Sequence, residues 1–175
     1  MISIIKFFKN IYISVVSPYK RADILRKEGL KIGKNSAIYN KVGFGSEPYL
    51  IEIGDNVRIT NGVKFITHDG AMWVLRKIGL LENADLFGRI IIGNNVHIGI
   101  NAIIMPNVTI GDNVIIGVGA IVTRNIPSNS VAVGIPARVI KTIEEYYEKN
   151  KDFVDFTNNM NPKEKKDYLT KKYNL

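Results

Sequence analysis

The chain contains no cysteine, only two histidines and a single tryptophan in 175 residues. Without cysteine there can be no disulfide framework, no zinc-thiolate centre and no thiol nucleophile. No run of about 20 uninterrupted apolar residues occurs, so a membrane-spanning helix is not expected. The opening MISIIKFFKN places lysines inside its apolar run and leads to no small-residue cleavage site, unlike a secretory signal. The expected frame is a soluble cytoplasmic protein. No GxGxxG or Walker-type loop is present, which removes dinucleotide and ATP-binding readings.

Charge is present but unevenly placed. The net charge is +8, from 24 basic and 16 acidic residues. Residues 1–41 hold nine basic and two acidic side chains, whereas residues 42–137 hold six and seven. No basic stripe with interleaved aromatics runs through the body, so a nucleic-acid-binding core is not expected. Residues 1–27 mix Lys6, Lys9, Lys20, Arg21, Arg26 and Lys27 with Ile4, Ile5, Phe7, Phe8, Ile11, Tyr12 and Ile13. This basic amphipathic pattern suits a cap over the first coil of the body. Any surplus charge would allow peripheral contact with the inner face of an anionic membrane.

A six-residue repeat dominates the rest. From Ile92 the chain reads IGNNVH, IGINAI, IMPNVT, IGDNVI, IGVGAI and VTRNIP, six consecutive units ending at Pro127. Earlier units are IGKNSA at Ile32 and the pair IGDNVR and ITNGVK from Ile53. A helical period of 3.6 would scatter these aliphatics around the axis, and the glycines and asparagines oppose a helix. Aliphatics at the first and fifth positions suit a short strand, and Asn, Asp and Gly between them suit a tight turn. Three units would close a triangular coil, with coils stacking to bury their aliphatic rows. A β-sandwich would show less regular spacings of roughly 8–12 residues. The expected fold is mainly β, a parallel β-helix over 32–137. It carries a helical cap over 1–31, a C-terminal helical segment over 138–175 and one extended loop at 69–89. The helical spacing of Val139, Ile143 and Tyr147 predicts a helix over 139–150.

Two blocks carry a family resemblance: FITHDGAMWVLR before the loop, and GRIIIGNNVHIGINAIIMPNVTIGDNVIIGVGAIVTRNIPSNSVAVGIPARVIK from Gly88 to Lys141. Together with the earlier units they resemble the hexapeptide-repeat acyltransferases, specifically the maltose/galactoside and polysaccharide O-acetyltransferase branch. The resemblance covers Ile32 to Lys141, and it implies left-handed coils, a homotrimer and an acetyl-CoA site between neighbouring subunits. Left-handed crossovers depart from a strong general rule, and the spacing alone does not call for them. The implied reaction is acetyl transfer from acetyl-CoA to a hydroxyl of a sugar or glycan precursor, with no metal.

Acetyl transfer to an alcohol needs a base for the hydroxyl proton, and a neutral imidazole suits that role. His68, at the mouth of the loop, matches the family's catalytic histidine. Asp69 follows it and is a candidate to orient the ring, although adjacent residues of an extended chain point apart. The resemblance maps the cofactor wall to Ile100 and Val118, its nucleotide end to Thr123 and Arg124, and its phosphates to Arg138 and Lys141. Trp73 and Arg76 are acceptor candidates, since an indole offers a sugar ring an apolar face and a guanidinium can bond its hydroxyls. Asn40 and Glu47 are candidates for the facing wall. Where many relatives carry Trp this chain has His97, placed by the hexad register at a corner as a wall or interface residue.

Other classes remain in view. An N-acyltransferase on an amino sugar would use the same histidine. A γ-class carbonic anhydrase needs three histidines around a shared metal, and this chain has two without the HxxxxH spacing. A non-catalytic trimeric scaffold would be expected to lack the histidine that stands here at position 68.

Overall fold

A computed structural model of the protein describes residues 12–175. Residues 1–11, with Ile4, Ile5, Lys6, Phe7, Phe8 and Lys9 of the amphipathic segment, lie outside the described residues. Among the described residues, thirteen short strands build three sheets around a triangular core. The first sheet holds β1 (Lys31–Ile32), β3 (Ile51–Ile53), β6 (Ile90–Ile92) and β9 (Val108–Ile110), all parallel. The second runs through β2 (Ala37–Ile38), β4 (Arg58–Ile59), β7 (His97–Ile98), β10 (Val114–Ile116), β12 (Ser130–Val133) and β13 (Arg138–Thr142). The third holds β5 (Lys64–Phe65), β8 (Ile103–Ile104) and β11 (Ile121–Val122).

The core follows the repeat. First-position Ile92, Ile98, Ile104, Ile110 and Ile116 and fifth-position Val96, Ala102, Val108, Val114 and Ala120 are each at most 2% exposed. Stacked aliphatics of this kind remove apolar surface from water at roughly 25 cal/mol per Å2. The turns are equally repetitive. Asn56, Asn95, Asn113 and Asn129 all adopt positive φ. The first three each donate their side-chain amide to the next in the row, with Nδ2···Oδ1 distances of 3.0, 3.0 and 2.8 Å, and Asn129 accepts the last bond. Asparagine tolerates this left-handed backbone better than most residues, which is why it recurs there. At Gly93 a Cβ would stand 2.5 Å from Asp112 Oδ1, so glycine is required for the coils to approach.

Register reveals two insertions at one corner. His97 pairs with Ile115, 18 positions on, as three units per coil require. Lys31 instead pairs with Glu52, 21 positions on, and Arg58 pairs with His97, 39 positions on. The first coil therefore carries 3 surplus residues and the second carries 21. Gly43 bridges Lys64 on the third sheet and Ile51 opens β3 on the first, so the small surplus leaves between those sheets. The large one leaves between β5 and β6, which is the same corner one coil later.

The ends are covered by helices. α1 (Pro18–Lys27) is capped by Ser17, whose Oγ accepts from Lys20 N, and it buries Ala22. Arg21 is 5% exposed and donates to the carbonyls of Ile13, Ser14, Val16 and Ile38. Arg26 donates to the carbonyls of Ile32 and Gly33. Two cations of the amphipathic segment thus hold the first coil's backbone.

At the other end the structure corrects the helix expected over 139–150. Residues 138–142 are strand β13, antiparallel to β12, because they satisfy the last parallel edge of the second sheet. The helix of that region, α3, begins at Ile143 and ends at Asn150, after a capping box between Thr142 and Glu145. A last helix, α4 (Pro162–Tyr173), is capped by Asn161 and tied to the preceding loop through Asp155. The 21-residue excursion is not without structure either, since it contains α2 (Met72–Lys77). Among the described residues, no helix is long and apolar enough to cross a membrane.

Candidate active site

The two insertions meet at their shared corner. Beyond β5 the chain continues through Thr67, fully buried, to His68. The neck of the excursion closes by antiparallel pairing: Asp69 N donates to Leu86 O at 2.8 Å and Gly88 N to Thr67 O at 2.9 Å. The His68 ring meets Phe87 edge-on, with centroids 6.1 Å apart. From the smaller insertion, Glu47 Oε2 lies 3.1 Å from His68 Nδ1 and accepts from Thr67 Oγ1 at 2.7 Å. Ser46 Oγ stands 3.3 Å from the same ring nitrogen. The Thr67 hydroxyl holds the Glu47 carboxyl below its ordinary range; Ser46 and His68 add to this, and partial desolvation opposes it. Glu47 is therefore a carboxylate at neutral pH, the charge that suits an imidazole N–H.

His68 also faces a cavity of about 440 Å3, lined with Ile66, Leu86, Met105, Asn107 and Thr123. The arrangement joins an oriented imidazole to a largely apolar cleft with a hydroxyl and an amide. It can accept a proton from a bound hydroxyl and exclude part of the surrounding water.

The other sequence candidates are distributed less simply. Asp69 does not orient the ring: its Oδ1 accepts from Ala71 N at 2.9 Å, within its own turn. Glu47, placed on the acceptor wall by sequence, contacts the histidine instead. Thr123 shares the cleft with His68. Arg124 and Arg138 line a separate hollow of about 180 Å3 with Ile126 and Val139, and Lys141 does not line it. Ile100 and Val118 stand one coil apart and exposed, with Gly119 N donating to Ile100 O at 2.8 Å.

Trp73 on α2 is 58% exposed, with Lys77 Nζ 5.7 Å from its ring centre. Arg76 is engaged within the excursion through one guanidinium nitrogen. It donates to Ala84 O and, at 2.6 Å, to Asp85 Oδ1, closing the excursion on itself. Asn40 lines a different cavity with Arg21, Tyr39 and Phe44. His97 is not at a corner: it opens β7 on the outer face of the second sheet, between Arg58 and Ile115. Burial, and then the Arg58 charge, push its pKa below the ordinary value. Among the described residues, no cluster of three or more His, Cys, Asp or Glu side chains is placed to hold a metal.

Sequence reasoning missed Ser46, Thr67 and Phe87. The available signal was the 3-residue surplus before β3, which only becomes visible once the coil register is counted.

Comparison with known proteins decides the family. The bacterial transferase hexapeptide (six repeats) matches residues 89–124. Over 167 residues the chain is 47% identical to Protein CapG of Staphylococcus aureus, covering 94% of this chain and 96% of that one. The chain belongs to the hexapeptide-repeat acyltransferases. Two solved members of the family share its fold. A maltose O-acetyltransferase from Clostridium difficile 630 matches with a TM-score of 0.54 and 32% identity, over 76% of this chain and 81% of that one. A galactoside acetyltransferase in complex with coenzyme A matches with a TM-score of 0.59 and 32% identity, over 82% of each chain.

Proposed function

We propose that this acyltransferase uses acetyl-CoA to acetylate a hydroxyl group of a sugar or glycan precursor, with His68 as general base. The observation that carries the reading is the state of that imidazole. Its Nδ1 is engaged by a carboxylate, which leaves Nε2 to take a proton, and the ring lines a cleft large enough for an acceptor group. The solved maltose and galactoside relatives, one with coenzyme A bound, support the donor and the acceptor class.

In this mechanism His68 accepts the hydroxyl proton as the acceptor oxygen attacks the thioester carbonyl. The imidazolium then returns the proton to the departing thiolate, so that an ester and a free thiol leave and the enzyme is regenerated. Arg124 and Arg138 supply paired cations suited to the phosphates of the donor. Ile100 and Val118 would line its path through their backbone, and Thr123 would stand between the two regions. Trp73 would offer its exposed face to the acceptor.

We read the coils as left-handed and the active assembly as a homotrimer, with the donor held between neighbouring copies. The exposed apolar side chains of the excursion, among them Val74, Ile78, Leu80 and Leu81, fit burial against another subunit.

Thiol release from acetyl-CoA across matched hydroxy and amino sugars tests the reading. Turnover on hydroxy sugars that falls by roughly 10²–10⁴ in His68→Ala supports it. Turnover on amino sugars alone would replace the O-acetyl assignment, and an unaffected variant would remove His68 as the base.

A further inference from the structure

We infer that Glu47 is the positioning residue of the site: it fixes the tautomer of His68 and provides the counter-charge when that ring is protonated. The inference rests on the reading of His68 as general base. It goes further by assigning a second residue, from a different coil, to the same proton transfer.

The geometry leaves little freedom. Nδ1 can carry one proton, and it faces two oxygens, Glu47 Oε2 at 3.1 Å and Ser46 Oγ at 3.3 Å. A charged acceptor forms the stronger bond, so the proton is directed to the carboxylate and the Nε2 lone pair is exposed. The carboxylate is itself held. Thr67, adjacent to His68 in the chain, donates its hydroxyl to the same Oε2 at 2.7 Å. One oxygen atom therefore ties the smaller insertion to the residue before the base and to the base itself.

The backbone is built to allow this approach. Gly45 has a φ of +68°, and a Cβ there would stand 2.5 Å from Thr67 Oγ1. Any other residue at 45 would push the 46–47 segment away from the site. The insertion then turns through the 3-10 segment Pro48–Leu50 back into β3. A first coil without the 3 surplus residues would have no chain at this corner with which to reach His68.

No other described group competes for the role. His68 meets Glu47 and Ser46 from the smaller insertion, Phe87 from the far limb of the excursion, and Asn107 and Thr123 across the cleft. Of these only Glu47 ionises. Asp69, the neighbouring carboxylate, is turned to Ala71 N.

Two variants separate the tautomer from the charge. Glu47→Ala removes both, whereas Glu47→Gln keeps an acceptor oxygen for the Nδ1 proton and removes only the charge. Nitrogen-15 NMR of the imidazole in the intact protein reads them directly. The expected result is an Nδ1-protonated neutral ring in the wild type and in Glu47→Gln, and a shift towards the Nε2-protonated form in Glu47→Ala. Glu47→Gln should lower kcat while leaving that tautomer in place, because the imidazolium formed during turnover has lost its counter-charge. An unchanged tautomer in Glu47→Ala, or an unchanged kcat in Glu47→Gln, overturns the inference.

Kinetics with acetyl-CoA and maltose or galactose as acceptor give a second readout. A kcat lower by roughly tenfold or more with a steady acceptor KM is expected, a smaller loss than removal of the base. A raised KM with intact kcat would instead place Glu47 on the acceptor wall. If His68→Ala retained turnover, the base reading would fail, while the NMR result would still decide whether Glu47 orients the ring.

Discussion

Asn113 donates its side-chain amide to Asn129 Oδ1 at 2.8 Å, and both residues hold left-handed backbone, with φ of 56° and 58°. The pair is one step of a ladder that locks successive coils at a single corner. Asn95, inside that ladder, both donates and accepts. Asn95→Ala should therefore lose two hydrogen bonds and force an alanine into left-handed backbone, which costs about 1–2 kcal/mol by itself. Asn95→Gly should lose the bonds alone. Thermal unfolding should rank wild type above Gly and Gly above Ala, and an Ala variant at least as stable as Gly would contradict the conformational argument.

The paired arginines make a distinct prediction about the donor. Arg124 and Arg138 share one hollow, which Lys141 does not line. Replacing both arginines by Ala should weaken acetyl-CoA binding at least tenfold, and more than Lys141→Ala does. The loss should be smaller for a dephospho-CoA thioester, which has fewer charges to pair. Calorimetric titration of the two donors checks this, and equal losses for both would deny the hollow a phosphate-binding role.

His97 should make the fold acid-sensitive. Its folded pKa lies below the ordinary 6.5, first because of burial and then because of Arg58. The unfolded chain therefore binds the proton more readily, so stability is complete above about pH 6.5 and declines as pH falls below it. Melting temperatures measured between pH 5 and 7.5 should show this slope, and His97→Gln should flatten it. A slope unchanged in the variant would locate the acid sensitivity elsewhere.

The attachment of α4 should have limits at both ends of the pH scale. Lys172, at 2.5 Å, and then Tyr168, at 2.6 Å, hold the Asp155 carboxyl below its ordinary 3.8. That contribution is present above the ordinary value and is lost as pH falls through the lowered one. The same contacts raise Lys172 above 10.5 and Tyr168 above 10.0, so they weaken again in strong base. Hydrogen-exchange protection of residues 162–173, taken relative to the intrinsic exchange rate at each pH, should be greatest between these limits, and Asp155→Ala should lower it there. Because the contacts lie at the surface, the global melting temperature should scarcely move.

The candidate site was legible in part, for physical reasons. His68 could be read because a histidine at the edge of a repeat interruption stands out against an aliphatic background. Asp69 was the natural orienting carboxylate by proximity along the chain. The backbone instead turns it into its own loop, and the carboxylate that reaches the ring comes from 21 residues earlier. Arg76 offers a similar lesson. Its charge suggested acceptor binding, and the structure adds that one guanidinium nitrogen also braces the excursion through Ala84 O and Asp85 Oδ1.

By itself the sequence determined the stacked-coil plan of the body, because a six-residue rhythm of aliphatics and turn-formers suits short strands that close at tight turns and bury their rows by stacking. It also excluded thiol chemistry and left two histidines as the imidazole candidates for a base. Tertiary structure decided what the residues outside the rhythm do. Stacking the coils converts a 3-residue surplus and a 21-residue excursion, separate in the chain, into neighbours at one corner. A sequence states spacing along the chain. Only the coil register turns that spacing into a distance between Glu47 and His68.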